Sequence, residues 1–146
     1  MSRIAIIGAG SWGTAAAGLV AKHADEVVLW AHSQEVADGI CLTHKNPRYL
    51  SDYELPHNVE ATTSLTDALE KIDALLVAVP SSHLRKTLLS GAQFIASSTP
   101  VLVLTKGIER KTGYTMAELV GEVLGNQSRI CALSGPNHAE EIAAGK

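Results

Sequence analysis

Apolar residues fall in short unbroken runs, separated by longer stretches in which polar and apolar residues mix. Ile4-Ala5-Ile6-Ile7, closed by Gly8, does not alternate in polarity, and such a run reads as a strand buried on both faces, as in parallel sheets. Val27-Val28-Leu29-Trp30, Ala74 to Val79 stopped by Pro80, Val101 to Leu104, and Arg129 to Leu133 repeat the pattern, with shorter strand character at Val59-Glu60-Ala61. Between them the sequence predicts helices. Ala-rich Trp12 to Lys22 is the first, and Ser33 to Cys41 opens on an N-capping Ser. Thr66 caps a third through Glu70, Ser82 caps a fourth, and Thr115 to Leu124 ends at Gly125-Asn126. Asn46 to Asn58, polar and holding Pro47 and Pro56, reads as a surface excursion. Six strands alternating with helices predict an α/β fold, a doubly wound parallel sheet in the order 3-2-1-4-5-6.

No linker interrupts residues 1–146, so one domain is expected. The last residues, Glu141 to Lys146, sit in or just past a helix with no sheet element after it, which suggests a further C-terminal domain in a longer protein. The composition is that of a globular domain: 46% hydrophobic, 18% charged and 4% aromatic over 146 residues. A net charge of −3, with both signs interspersed, argues against nucleic acid or an anionic membrane as partner. Cys41 and Cys131 lie far apart, outside any CxxC spacing, and are expected as reduced, small apolar fillers in a cytoplasmic protein. The six histidines lack metal-ligand spacing.

Gly8-Ala9-Gly10-Ser11-Trp12-Gly13 fits G-x-G-x-x-G between a predicted strand and a predicted helix, the context in which that hexapeptide carries meaning. Gly8 makes the tight turn, Gly10 leaves room for a pyrophosphate, and Gly13 lets helix and strand pack closely. Free backbone N–H groups at the helix start attract phosphate. A Rossmann-type dinucleotide-binding domain follows. NAD-preferring sites place Asp or Glu at the end of the second strand. Here the strand ends Trp30-Ala31-His32-Ser33-Gln34, and Asp25 and Glu26 fall at its other end. His32 and Ser33 offer donors to a 2′-phosphate, which predicts that NADP is accepted as well as NAD; the alternative is a solvated loop.

Ligands of open α/β sheets bind beyond the carboxyl ends of the strands. Lys106, in Thr105-Lys106-Gly107 after the fifth strand, is therefore either a crevice cation for a phosphate or carbonyl oxygen, or a solvated surface lysine. After the sixth strand, Ser134-Gly135-Pro136-Asn137-His138-Ala139-Glu140 offers Asn137 as N-cap and Glu140 as its capping-box partner. Asn137 is thus a ligand contact or a structural cap.

Taken together, Gly8 to Ala15, Leu29-Trp30, Val79-Pro80-Ser81, Leu104-Thr105-Lys106-Gly107-Ile108-Glu109 and Ser134-Gly135-Pro136 make the chain similar to the bacterial NAD(P)-dependent glycerol-3-phosphate dehydrogenases. The resemblance implies a cytoplasmic, homodimeric oxidoreductase that interconverts sn-glycerol 3-phosphate and dihydroxyacetone phosphate and supplies the former for phospholipid synthesis. It implies that Ser11, Trp12, His32, Ser33 and Tyr49 line the NADPH site, and that Lys106 touches cofactor and substrate. Gly135 and Asn137 would meet the substrate, with Ala139 near the cofactor. The family's acid–base lysine belongs to a helical C-terminal domain, so no catalytic residue is assigned within these residues. Two positions depart from the family: Asn137 stands for its usual Ser or Thr, and Ser33 for the Arg of many members. Ketopantoate reductases and 3-hydroxyacid dehydrogenases share the two-domain plan but lack the Ser11-to-Thr14 and Lys106-to-Glu109 pieces. A short-chain dehydrogenase would need Lys four positions after Tyr49, Tyr53 or Tyr114, and none is there. A nucleotide-sensing module would keep the glycine loop without needing Lys106.

Overall fold

The structure, a computed structural model, describes all residues 1–146. Six strands, β1 (Arg3–Ile7), β2 (Glu26–Trp30), β3 (Val59–Thr62), β4 (Ala74–Val77), β5 (Val101–Val103) and β6 (Ile130–Ala132), form one sheet in the order β3-β2-β1-β4-β5-β6. Every pairing is parallel. The helices are α1 (Ser11–Val20), α2 (Gln34–Thr43), α3 (Leu65–Leu69), α4 (Ser81–Gly91), α5 (Met116–Leu124) and α6 (Ala139–Ala143).

Because side chains alternate across a strand, an unbroken apolar run feeds two cores at once. Ala5, Ile7, Val28, Leu75 and Val77 meet Leu84 and Leu88 of α4 and Leu119 and Val120 of α5 on one face. Ile6, Val27, Leu29 and Leu76 meet Ala16 and Ala17 of α1 and Val36 and Ile40 of α2 on the other. This two-sided burial is what the uniform hydrophobicity of the runs encodes.

Several boundaries move. Ser64, not Thr66, caps α3, its hydroxyl accepting from the Asp67 amide at 3.2 Å. Pro80 precedes α4, which starts at Ser81 with no side-chain cap, so Ser82 lies inside the first turn. β4 ends at Val77, leaving Ala78 and Val79 to line a crevice. The capping box expected of Asn137 and Glu140 does not form: α6 begins one residue later, with His138 at the N-cap position. A capping box does form at α5, between Thr115 and Glu118. Cys41 and Cys131 are exposed thiols, not core fillers: Cys41, on α2, donates to the Ala61 carbonyl at the rim of the edge strand β3, and Cys131 lies on the other edge strand, β6. No helix is long and apolar enough to cross a membrane.

Candidate functional site

Ile7 is level with Trp30 on one side and with Val77 on the other, so the carboxyl ends of β1, β2 and β4 finish together. The chain diverges there: β1's neighbours β2 and β4 connect to helices on opposite faces, and a crevice opens between them. Gly8 turns out of β1 at φ +117°, and a Cβ there would lie 2.7 Å from the Ala78 carbonyl. A Cβ on Gly13 would collide with the Gly8 carbonyl oxygen, so α1 can approach the strand only with glycine at that place. Gly10 differs, since a Cβ on it would find nothing within 4 Å. The turn is closed below and open above. α1 starts at Ser11 without a side-chain cap or an acidic residue in its first turn, which leaves its amides free for an anion.

The groove above the turn encloses about 890 Å³. Its lining includes Arg48, Lys86 and Lys106 and no aspartate or glutamate, although the chain as a whole is negative. The field selects an anionic ligand. Trp12 and Asn137 both line the groove, and each holds a buried nitrogen without a hydrogen-bond partner in the protein.

At the β2 end stand His32 and Ser33. Ser33 occupies the N-cap position of α2 but makes no side-chain cap bond, which leaves its hydroxyl for a ligand. Asp25 and Glu26 lie at the opposite end of the strand, where Asp25 accepts from the Ser2 amide and hydroxyl and is held below the usual carboxylate range. The polar excursion closes this end of the groove, and its root is not on the surface. Asn46 is fully buried. Its amide donates at 2.9 Å to both the Ala9 carbonyl and the Thr14 hydroxyl, while its carbonyl oxygen accepts from the backbone amides of Arg48 (3.0 Å) and Tyr49 (3.1 Å). One side chain thus ties the Arg48-Tyr49 segment to the glycine turn. Arg48 Nε donates at 2.8 Å to Glu35, in the first turn of α2.

Along α4, His83, Lys86, Thr87 and Ser90 line the groove. Their i, i+3, i+4, i+7 spacing puts them on one helix face, a polar wall whose periodicity is already present in the sequence.

At the far end, Lys106 lines the groove and its ammonium donates to the Gly135 carbonyl. Thr105 fixes the backbone beside it, its hydroxyl donating at 2.7 Å to the Val79 carbonyl. Glu109 anchors the same loop: Arg85 of α4 donates to both its carboxylate oxygens at 2.8 Å and to Glu122 of α5 at 2.7 Å. These bonds, with a further one from Thr112, hold the Glu109 carboxyl down at about 2, and the two carboxylates raise the Arg85 guanidinium above its ordinary range. Glu109 is thus a clamp for the Lys106 loop.

Of the residues singled out from the sequence, Gly8, Gly10, Ser11, Trp12, His32 and Ser33 line the groove at its cradle and β2 end, joined by Tyr49, Lys106 and Asn137. Gly13, Gly135 and Ala139 do not. Gly13 lies beneath the turn, Gly135 meets the site through its carbonyl, and Ala139 is buried where α6 packs on α1. No three His, Cys, Asp or Glu side chains gather into a metal-binding group.

The description "NAD-dependent glycerol-3-phosphate dehydrogenase N-terminus" matches residues 3–146. The chain belongs to this family. It is 40% identical over its full length to the glycerol-3-phosphate dehydrogenase [NAD(P)+] of Corynebacterium urealyticum, and 39% identical over 97% of its length to that of Bacillus pumilus. It spans less than half of each relative, 44% and 42%. The crystal structure of glycerol-3-phosphate dehydrogenase from Coxiella burnetii superposes with a TM-score of 0.88 at 32% identity, over 98% of this chain and 43% of that one. A ketopantoate reductase from Ralstonia eutropha fits less well, with a TM-score of 0.70 at 25% identity over 89% of this chain and 40% of that one. That likeness reflects the shared dinucleotide fold rather than the family-specific loops.

Proposed function

We propose that residues 1–146 are the NAD(P)-binding part of a cytoplasmic oxidoreductase that interconverts sn-glycerol 3-phosphate and dihydroxyacetone phosphate. The observation that carries this reading is a glycine cradle, closed below and open at Gly10, at the floor of a carboxylate-free groove that ends at Lys106 and Asn137. Membership of the family and the names of the relatives support the substrate pair. The free thiols of Cys41 and Cys131 fit a reducing compartment.

The amides at the start of α1 bind the pyrophosphate, with Gly10 allowing backbone contact. Ser11 and Trp12 flank it, and His32, Ser33 and Tyr49 hold the adenosine end. When bound, the nicotinamide supplies the hydride that converts ketone to alcohol. Lys106 sets a cation beside the substrate's phosphate and C2 oxygen, an electrostatic role that lowers the cost of negative charge developing there. Asn137, its amide nitrogen free, donates to the same substrate, and Gly135 shapes the wall through its carbonyl. Ala139 supports the cofactor from α6. Proton transfer to C2 oxygen falls to a lysine of the helical domain that the family resemblance implies, in a homodimer. Titrating the protein with NADPH and then with dihydroxyacetone phosphate tests the reading: saturable binding of the nucleotide supports it, and no affinity for either nicotinamide nucleotide overturns it.

A further inference from the structure

We propose that Arg48 is the residue that recognises the 2′-phosphate of NADP, with Glu35 as a built-in competitor for it; this inference rests on the dinucleotide reading of the groove. Glu35, in the first turn of α2, lies just past the end of β2, the place where dinucleotide folds hold the adenosine ribose hydroxyls and where an arginine nearby accommodates a 2′-phosphate. Arg48 lines the groove there, pairing with Glu35 at 2.8 Å.

The backbone beneath Arg48 is not free to wander. Its amide is bound to the buried Asn46, which is bound in turn to Ala9 of the glycine turn and Thr14 of α1. The arginine is therefore indexed to the same turn that seats the pyrophosphate, so the distance between a pyrophosphate and the guanidinium root is built into the fold.

The present pairing of Arg48 is weak. Both side chains are more than half exposed, at 53% and 57%, and an exposed ion pair is readily exchanged. A phosphate carries up to two charges and three oxygens suited to the planar guanidinium fork, so it outcompetes one carboxylate. With NAD no such group arrives, and Arg48 stays on Glu35. The Arg48–Glu35 pair thus sets how strongly the site favours the phosphorylated nucleotide. Lys86, across the groove on α4, is the other cation within the lining at neither the cradle nor the substrate end.

The test uses 2′,5′-ADP and 5′-AMP, which differ in the 2′-phosphate alone, and NADPH against NADH, all by calorimetric titration of the protein. Arg48→Met should weaken 2′,5′-ADP and NADPH by about 10- to 100-fold, the range for one lost charge-assisted contact, while 5′-AMP and NADH change far less. Glu35→Gln should move the ratio the other way, tightening 2′,5′-ADP relative to 5′-AMP. Equal losses for both nucleotides in Arg48→Met would overturn the proposal and make Arg48 a loop-shaping residue. Selective loss of 2′,5′-ADP in Lys86→Met but not in Arg48→Met would overturn it in favour of α4. If the unaltered protein binds neither NADPH nor NADH, the dinucleotide reading itself fails, an outcome recognisable before any variant is made.

Discussion

Three glycines within six residues have three different surroundings, and only the backbone distinguishes them. Gly8 meets the Ala78 carbonyl, Gly13 meets Gly8, and Gly10 faces open groove. A side chain at Gly10 is therefore tolerated by the fold, and on the proposed reading it would occupy the space of the pyrophosphate. Gly10→Val should leave thermal stability near wild type and lower NADPH affinity by roughly tenfold or more, as read by calorimetric titration; unchanged affinity in the folded variant would remove the phosphate cradle. Lys106 is the complementary case, a charge at the other end of the groove held by the Gly135 carbonyl. In the complete dehydrogenase that the family resemblance implies, Lys106→Ala should cost on the order of 10²- to 10³-fold in kcat/KM for dihydroxyacetone phosphate, measured by steady-state kinetics. Wild-type kinetics would make Lys106 a solvated lysine. Both positions were legible because their requirement follows from a local motif. Arg48 was not, since its place depends on Asn46 folding back onto Ala9 and Thr14, thirty or more residues earlier in the chain.

Strands and helices were legible to the extent that burial is local. The runs of β1, β2, β4 and β5 became strands because each buries both faces, whereas β3 and β6 are the sheet's edges, each paired on one side only, and β6 leaves Cys131 and Ala132 exposed. Helix starts were less legible, since several adjacent polar residues can each cap and the choice is made by backbone direction: Ser64 prevails over Thr66, and His138 takes the position expected of Asn137. Asn137, relieved of the cap, makes no side-chain cap bond, and its amide nitrogen lies unpartnered beside the groove. Charge also ties α4 to α5. Arg85 binds Glu109 and Glu122, and Glu109 is pulled from 4.5 to about 2. A carboxyl depressed on folding contributes stability that is complete above its unfolded value and is lost as pH falls through its folded one. The protein should thus lose stability in acid between 4.5 and about 2, in the same direction that Asp25 and Glu118 act. Glu109→Gln should be less stable than wild type near neutrality, and the gap in Tm should narrow as the pH is lowered through that window. A gap independent of pH would show that the clamp acts through packing rather than through the ionised carboxylate.

Across the whole molecule, two layers of helices fix a sheet whose carboxyl edge presents a groove, cationic along its length and finished at its far end by Lys106 and Asn137. Binding and chemistry ask different things of that edge. On the proposed reading, binding a dinucleotide needs the cradle and the β2 end, both of which lie within residues 1–146. Reduction of a ketone needs, in addition, groups on the opposite side of the reacting carbon and a proton donor to its oxygen, because only interactions strengthened in the transition state accelerate the step. Lys106, beside Asn137 in the lining, is an ionisable donor at that end of the groove, and one of its three N–H donors is taken by the Gly135 carbonyl. The 146-residue chain should therefore bind NADPH saturably and fail to oxidise it when dihydroxyacetone phosphate is added. Nicotinamide absorbance followed beside a separate nucleotide titration checks both halves. Sustained turnover by these residues alone would make Lys106 or Asn137 the proton-handling group and overturn the division of labour between this sheet and a helical domain. Absent nucleotide binding would instead strike at the proposed groove itself.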